Sequence, residues 1–583
     1  MFRNLSHLIL IAFVALAFSA CSGEKQGGEG ETAEAKGGKF YGGVLHINES
    51  EYIRTLYPPS ILDVYSYRVA AQIYEGLFKF DPKTLKVING LAESVTIDDA
   101  KTTYTIKLRK GVMFHDDACF EGGKGRELKA KDILYCMERL CTKTADNQNF
   151  ELFDGILKGA KNYYESSGEG KKPPFEFEGV KVVDDYTIKF VLEKPYSLFT
   201  CHLARPAAFI YPEEAVKKYG KDLSTKAIGT GPFSLGKVEE ETNIMLMKNK
   251  NYYLSDKDGN KLPFLDAVSV RFIKEKKTEL LEFNKGNLDM MYRLPTEHLV
   301  EIMEKSTDGS LKDAELSRAP EMQTQLLVFN TQVAPFDNAD VRRAFSFAIN
   351  RANILDNTLL GEGFAPGEYG ITSPSFKDIG YDVAANVRGY TLNKDSALYY
   401  LNKAGYKNGK GFPQIYIELN AEGDRHASVA LEVKKQLKEV LNVDAELSIM
   451  SHSQVTDRST SGSFKFIRLS WIADYPHPQS FVRFFYGKGV PAKSDEVSFP
   501  NLARYKNPKF DDVYEAALNT VNEEEALKLF MQAEYLAMRD APVLVLWYDE
   551  AFRLLKNKVK NFPNNAIQYR DLTEVYIQPD AAK

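Results

Sequence analysis

The chain has 583 residues, of which 75 are Lys or Arg and 80 are Asp or Glu, for a formal net charge of −5. With a pI near 6.1, this balance argues against nucleic acid as a partner. The length implies two or more domains. An aromatic content of 12%, with 32 Tyr, 36 Phe and only two Trp, suits large cores and a stacking-rich cleft.

The first residues read as a targeting segment. Arg3 gives a small positive region, and Leu8 to Phe18 is an apolar run too short to span a bilayer comfortably. Phe18-Ser19-Ala20-Cys21 then resembles a bacterial lipoprotein signal, in which Cys21 becomes the lipidated first residue. Phe18 stands where that pattern usually has Leu, and an ordinary signal peptide with an incidental cysteine is the alternative. Ser22 to Lys39 holds almost nothing to bury and is expected to be a flexible tether. No later stretch reaches about 18 apolar residues, so no spanning helix is expected. Ser22 does not meet the aspartate rule for inner-membrane retention, which leaves inner and outer membrane open.

Val44 to Asn48 alternates as a strand, and Tyr67 to Leu77 carries apolar residues at helical spacing. Thr103 to Leu108 is a period-two strand, and Ala130 to Leu140 a helix. Gly159 to Pro174 reads as an exposed loop. Val180 to Val183 and Thr187 to Leu192 flank Asp184-Asp185 as a hairpin. Gly229 to Phe233 is a tight turn. Tyr252 to Phe264 is a loop insertion whose Asp256-to-Asn260 part has some likeness to a calcium loop but lacks the acidic ligands and the closing Glu, so a surface turn is favoured.

Leu326 to Phe329 is a short apolar run. Asn338 is placed to cap a helix with an apolar stripe of Val341, Ala344, Phe345, Ala348 and Ile349. Ser396 to Ala404 and Ala427 to Leu441 are helices, Gln414 to Leu419 and Ala445 to Ile449 strands. This alternation marks an α/β lobe. Ala526 to Met538 is a late helix, followed by a buried-looking strand from Val543 to Trp547.

Four cysteines follow Cys21: Cys119, Cys136, Cys141 and Cys201. An exported setting permits disulfides, three pairings are possible, and a structural bond is favoured over a metal site. Gly122 to Arg126 lacks the spacing of a phosphate loop and reads as a basic surface turn. His115-Asp116-Asp117 is explained as well by a capped turn as by a metal. No G-x-S-x-G or H-E-x-x-H occurs, so there is no positive case for an enzyme, a metal site or a cofactor.

The most informative stretch is Arg468 to Pro478, RLSWIADYPHP. Side chains alternate along a strand, so Arg468, Ser470, Ile472 and Asp474 share a face. Six residues separate the charges, roughly 20 Å of extended chain at about 3.3 Å per residue. Pro476 and Pro478 stop the strand. A guanidinium and a carboxylate facing one way suit a ligand with an anionic and a cationic end, such as a peptide. The alternative is two strand-end charges pairing with neighbours at the surface.

Eight blocks in order resemble the peptide-binding lipoproteins of bacterial ABC importers, the family 5 extracellular solute-binding proteins. They are Gly42 to Leu45, Gln72 to Pro82, Gly90 to His115, Ala130 to Ile133, Gly229 to Phe233, Phe329 to Arg351, Ala404 to Pro413 and Trp471 to Pro478. The resemblance implies an α/β, two-lobed fold of the large type II periplasmic-binding class, closing on a ligand like a flytrap. Signal peptide 1–20 and tether 21–39 precede lobe I, formed by 40–85, 210–325 and 545–583. A third domain, 86–209, attaches to lobe I, and lobe II covers 326–544. The chain is expected to cross between lobes near Leu326 to Asn330 and Val543 to Tyr548.

By the same resemblance, Asp474 pairs with a peptide's α-ammonium, Arg468 meets the carboxylate of short peptides, and Trp471 lines a side-chain pocket. Strict alternation puts Trp471 opposite Asp474, so that role needs local twist or a bulge. Ala473 and Tyr475 are expected to offer backbone groups to an extended peptide. The implied protein is a lipid-anchored monomer in the cell envelope, facing the periplasm or exterior. It would hand short peptides to an ABC permease and catalyse nothing. A metal chelate, haem or oligosaccharide on the same fold, or an exported chaperone-like peptide binder, is the alternative.

Overall fold

The computed structural model describes residues 32–579, apart from 169, 170, 421, 422 and 521. The signal segment, Cys21 and the start of the tether lie outside these residues.

Three sheets organise the chain. In the first, Phe233–Glu239, Asn243–Lys248, Ala267–Phe272 and Val44–Glu49 lie side by side. Its last pair is parallel and the others antiparallel. The second is an antiparallel sheet in the order Ala92–Ile97, Thr103–Leu108, Thr187–Val191, Val180–Asp184. It packs with helix Ala130–Leu140, whose Ile133, Cys136, Met137 and Leu140 are buried at helical spacing.

The third sheet joins the two lobes. Its order is Met290–Tyr292, Val543–Lys556, Ala314–Phe329, Phe466–Ile472, Ile415–Asn420, Ala445–Met450, with Ala365–Pro366 on the flank of Val543–Lys556. Ala314–Phe329 and Val543–Lys556, the two long central strands, contain the segments where the crossings were expected. They pair antiparallel, with register shifts between Pro320 and Thr324 and again between Gln325 and Leu326. They are far longer than the short apolar runs expected. Their outer halves carry alternating polar residues, and only the inner halves are continuously apolar.

A separate apolar core underlies the α/β lobe. Phe329, Phe336, Phe345 and Phe466 meet there with helix Ala339–Ala348 and helix Gly423–Leu441. Asn338 accepts from the Asp340 N–H at 2.9 Å and caps the first of these helices. The C-terminal segment returns to the first lobe: Lys79 pairs with Asp571 at 2.8 Å, and the Gln72 amide donates to the Arg570 carbonyl at 2.6 Å.

Three expectations need correction. The tether does not extend to Lys39, because Ala33–Ala35 and Lys39–Tyr41 form a hairpin. The Lys39 ammonium is held by Asp256 at 2.5 Å and Asp258 at 3.0 Å, a lysine standing where the loop's resemblance to a calcium site would place a cation. Second, 159–174 is not all loop, since Ala160–Ser166 is a helix with Ala160 and Tyr163 buried. Third, Cys119, Cys136, Cys141 and Cys201 are all free thiols. Cys136 donates to the Tyr211 carbonyl at 3.3 Å, and burial pushes the Cys119 and Cys201 thiols up to about 12. No helix among the described residues is long and apolar enough to cross a membrane.

The candidate polar clusters resolve into structural pairings. His115 is buried against the Gly231 carbonyl at 2.9 Å, Asp116 pairs with Lys124 at 2.7 Å, and Asp117 accepts from the Tyr219 hydroxyl at 2.7 Å. Arg126 bridges Asp132 and Glu214.

Candidate functional site

The Phe466–Ile472 strand pairs antiparallel with Ala314–Phe329, setting Arg468 opposite Leu327 and Ser470 opposite Gln325. Alternation ends at Ile472, before Asp474. The turn that follows is set by Ser480, the second residue of the short helix Gln479–Val482. Its hydroxyl accepts the Asp474 N–H at 2.9 Å, and its carbonyl accepts the Trp471 indole N–H at 2.8 Å.

This segment forms one wall of a cleft of about 230 Å³. The opposite wall comes from Asn48 to Ser50, Ile61 to Tyr65, Tyr67, Arg68 and Arg205. The floor holds Tyr292, Arg293, Gln323 and Gln325. The walls also touch directly. Arg54 pairs with Asp457 at 2.6 Å, Arg483 with Glu151 at 3.2 Å, and the Tyr65 and His452 rings meet edge-on at 5.4 Å.

Arg468, Trp471, Ala473 and Asp474 all line the cleft. The Trp471 ring packs against Phe484 and Phe499. The Ala473 N–H is already committed to the Met322 carbonyl at 2.8 Å. Tyr475 does not reach the cleft. It is buried in the core, with its hydroxyl on Gln479 and its ring 5.8 Å from His202. The added-strand role expected of Ala473 and Tyr475 is therefore corrected. The Ala473 donor is spent on the Ala314–Phe329 strand, and beyond Ile472 the chain turns inward.

Asp474 is not left to a ligand alone. Its Oδ2 lies 3.1 Å from Arg205 Nη2 and 4.0 Å from Arg483 Nη2. Its Oδ1 accepts no hydrogen bond from the described residues, and a third of the side chain stays exposed. One oxygen is thus held by the protein and the other has no partner among the described residues, in a side chain that lines the cleft. A carboxylate has lone pairs enough for both.

Arg468 lies at the other end of the motif, where its guanidinium donates to Gln325 and to Asn420 Oδ1 at 3.4 Å. Gln325 donates in turn to Asp549. Asp549 also takes Arg293 at 2.8 Å, Arg425 at 2.9 Å and the Trp547 indole N–H at 2.8 Å. Burial alone would raise the Asp549 pKa, but Arg293 and Arg425 hold it well below the usual carboxylate range. The floor of the cleft is therefore a fixed ionic network that orients Gln325, and through it Arg468.

Arg68, Arg205, Arg293 and Arg425 were missed from the sequence. They come from segments far apart in the chain and belong to no short motif. The only trace is an arginine on a buried helix face, Arg68 in Val64–Ile73, and one preceding Pro206.

Comparison with known proteins places this architecture. Residues 86–493 match the model of bacterial extracellular solute-binding proteins, family 5 (middle region). The chain is 26% identical over 541 residues to the glutathione-binding protein GsiB of Escherichia coli K12, covering 90% of each. Its fold matches the periplasmic binding protein DppA of Helicobacter pylori, solved with the peptide STSA, at a TM-score of 0.79, with 24% identity and 92% and 99% of the two chains covered. It also matches Haemophilus influenzae OppA, solved with RPPGFSPFR, at a TM-score of 0.77, with 22% identity and the same coverage. The fold is thus the large two-lobed type II binding-protein fold with a third domain, and the chain belongs to the bacterial extracellular solute-binding proteins, family 5.

Proposed function

We propose that this protein is the substrate-binding component of an ABC importer, capturing short peptides between its lobes and delivering them to a membrane permease. The observation that carries this reading is the polarity of one cleft wall. Asp474 lines the cleft with one carboxylate oxygen unpaired among the described residues, and Arg468 stands six residues earlier on the same wall. An α-ammonium suits the first and a terminal carboxylate the second. The ligands of the relatives, glutathione and two peptides, agree with that chemistry. In this reading Cys21 carries a lipid anchor, the protein acts as a monomer at the cell envelope, and it performs no catalysis. The division into lobe I, accessory domain and lobe II given above goes with it.

Native mass spectrometry of the gently purified protein tests the reading. A spread of bound masses matching short peptides is the expected result. A single non-peptide mass, or indifference to added peptides, moves the ligand to another class. In calorimetry, Asp474→Asn is expected to weaken peptide binding by on the order of 2–5 kcal/mol, as for a broken buried charge pair. Unchanged affinity removes the amine-anchor role.

A further inference from the structure

Building on the peptide-binding reading, we propose that Asp549 and Gln325 are positioning residues that aim the Arg468 guanidinium, so that the cleft takes peptides with a free terminal carboxylate and discriminates against the same peptides capped as amides. Neither residue needs to touch the ligand for this. Asp549 is 0% exposed and Gln325 2%. They act along a line of hydrogen bonds that runs from Asp549 through the Gln325 amide to Arg468.

Asp549 decides the direction of that line. A glutamine amide has a donating end and an accepting end, and by shape alone it fits a slot either way round. An ionised carboxylate only accepts. Asp549 stays ionised in spite of its burial, because Arg293 lies 2.8 Å away and Arg425 2.9 Å. Gln325 must therefore turn its NH2 to Asp549, which leaves its oxygen for Arg468 Nη2. The reverse orientation would set two donors against each other at Arg468 and two acceptors at Asp549. Asn420 accepts from Arg468 Nη1 at 3.4 Å. Gln325 and Asn420 stand on the two strands that flank Phe466–Ile472 in the sheet, so the guanidinium plane is held from both sides. A carboxylate is read by a fork of N–H donors in a fixed plane, whereas a terminal amide brings N–H donors of its own against that fork. The discrimination grows with how well the fork is held before the ligand arrives.

One mixed tripeptide library, made as free peptides, as C-terminal amides and as N-acetyl peptides, gives three pools for calorimetry. The wild-type protein is expected to bind the free pool roughly tenfold tighter than the amide pool, about 1.4 kcal/mol by the usual conversion. In Asp549→Asn the new amide can donate to the Gln325 oxygen, which lets Gln325 reverse and turn its NH2 on Arg468. The free-to-amide ratio is then expected to fall toward one, while the free-to-acetyl ratio, read by Asp474, stays as in the wild type. A merely structural role would weaken all pools together and leave both ratios unchanged. If Asp549→Asn does not fold, Gln325→Leu removes the relay but leaves Asp549 with Arg293 and Arg425, and the same fall is expected. Equal binding of free and amide pools in the wild type, an unchanged free-to-amide ratio in the variant, or collapse of both ratios together overturns the proposal and leaves the peptide receptor intact. If no pool binds the wild type, the peptide reading falls, and this inference with it.

Discussion

Asp474 gives one oxygen to arginines and leaves the other without a partner among the described residues, and this division decides how its removal is felt. Asp474→Asn deprives Arg205 and Arg483 of a counter-charge as well as the ligand of its anchor. The loss of affinity should therefore come with weaker closure rather than a simple missing contact. The motif around Asp474 was legible because its residues are neighbours in sequence. Its partners were not, because Arg205 and Arg68 approach only through the fold. Strand alternation was a good guide up to Ile472 and failed beyond it, since the Ser480 hydroxyl, not a ladder, positions Asp474. Tyr475 went to the core for the same reason.

At the level of elements, long periodic segments were readable and polar short ones were not. Thr103–Leu108 and Ala130–Leu140 lie where their patterns place them. Ala160–Ser166 escaped notice because its glycine- and lysine-rich surroundings outweigh the single buried face of Tyr163. Helix Pro508–Asn519 was also passed over, although Asn507 caps it through the Lys509 N–H at 3.0 Å. The cap at Asn338 was foreseen, and it gives a direct test. Asn338→Ala should lower unfolding stability by about 1 kcal/mol in denaturant titration. No change would mean that packing of Phe345 and its neighbours alone fixes that helix start.

For the whole molecule, pH is the sharpest lever. Burial lowers the pKa of His115 and His477 to about 4, and burial together with Arg205 and Arg483 lowers that of His202 to about 3. A depressed histidine is neutral in the fold but binds a proton when unfolded. The stability it contributes is complete above its ordinary value of 6.5 and is lost as pH falls toward the folded value. Melting temperature should therefore drop as pH falls from about 7 toward 4. Glu321 and Glu534, raised by burial, act in the opposite direction. The histidine share is read as the difference between wild type and His477→Gln, whose curve should be flatter. Parallel curves would show that His477 does not couple to unfolding.

The return of the C-terminal segment to the first lobe sets an order of assembly. Gln72 and Lys79 are made early, but the groups that hold them, Arg570 and Asp571, are made last. During synthesis from the N-terminus, the α/β lobe can close on an almost contiguous stretch of chain, while the first lobe must wait with its core unfinished. Truncating the chain before Arg570 should thus harm the half of the molecule that emerges first, leaving the later-made half folded beside it.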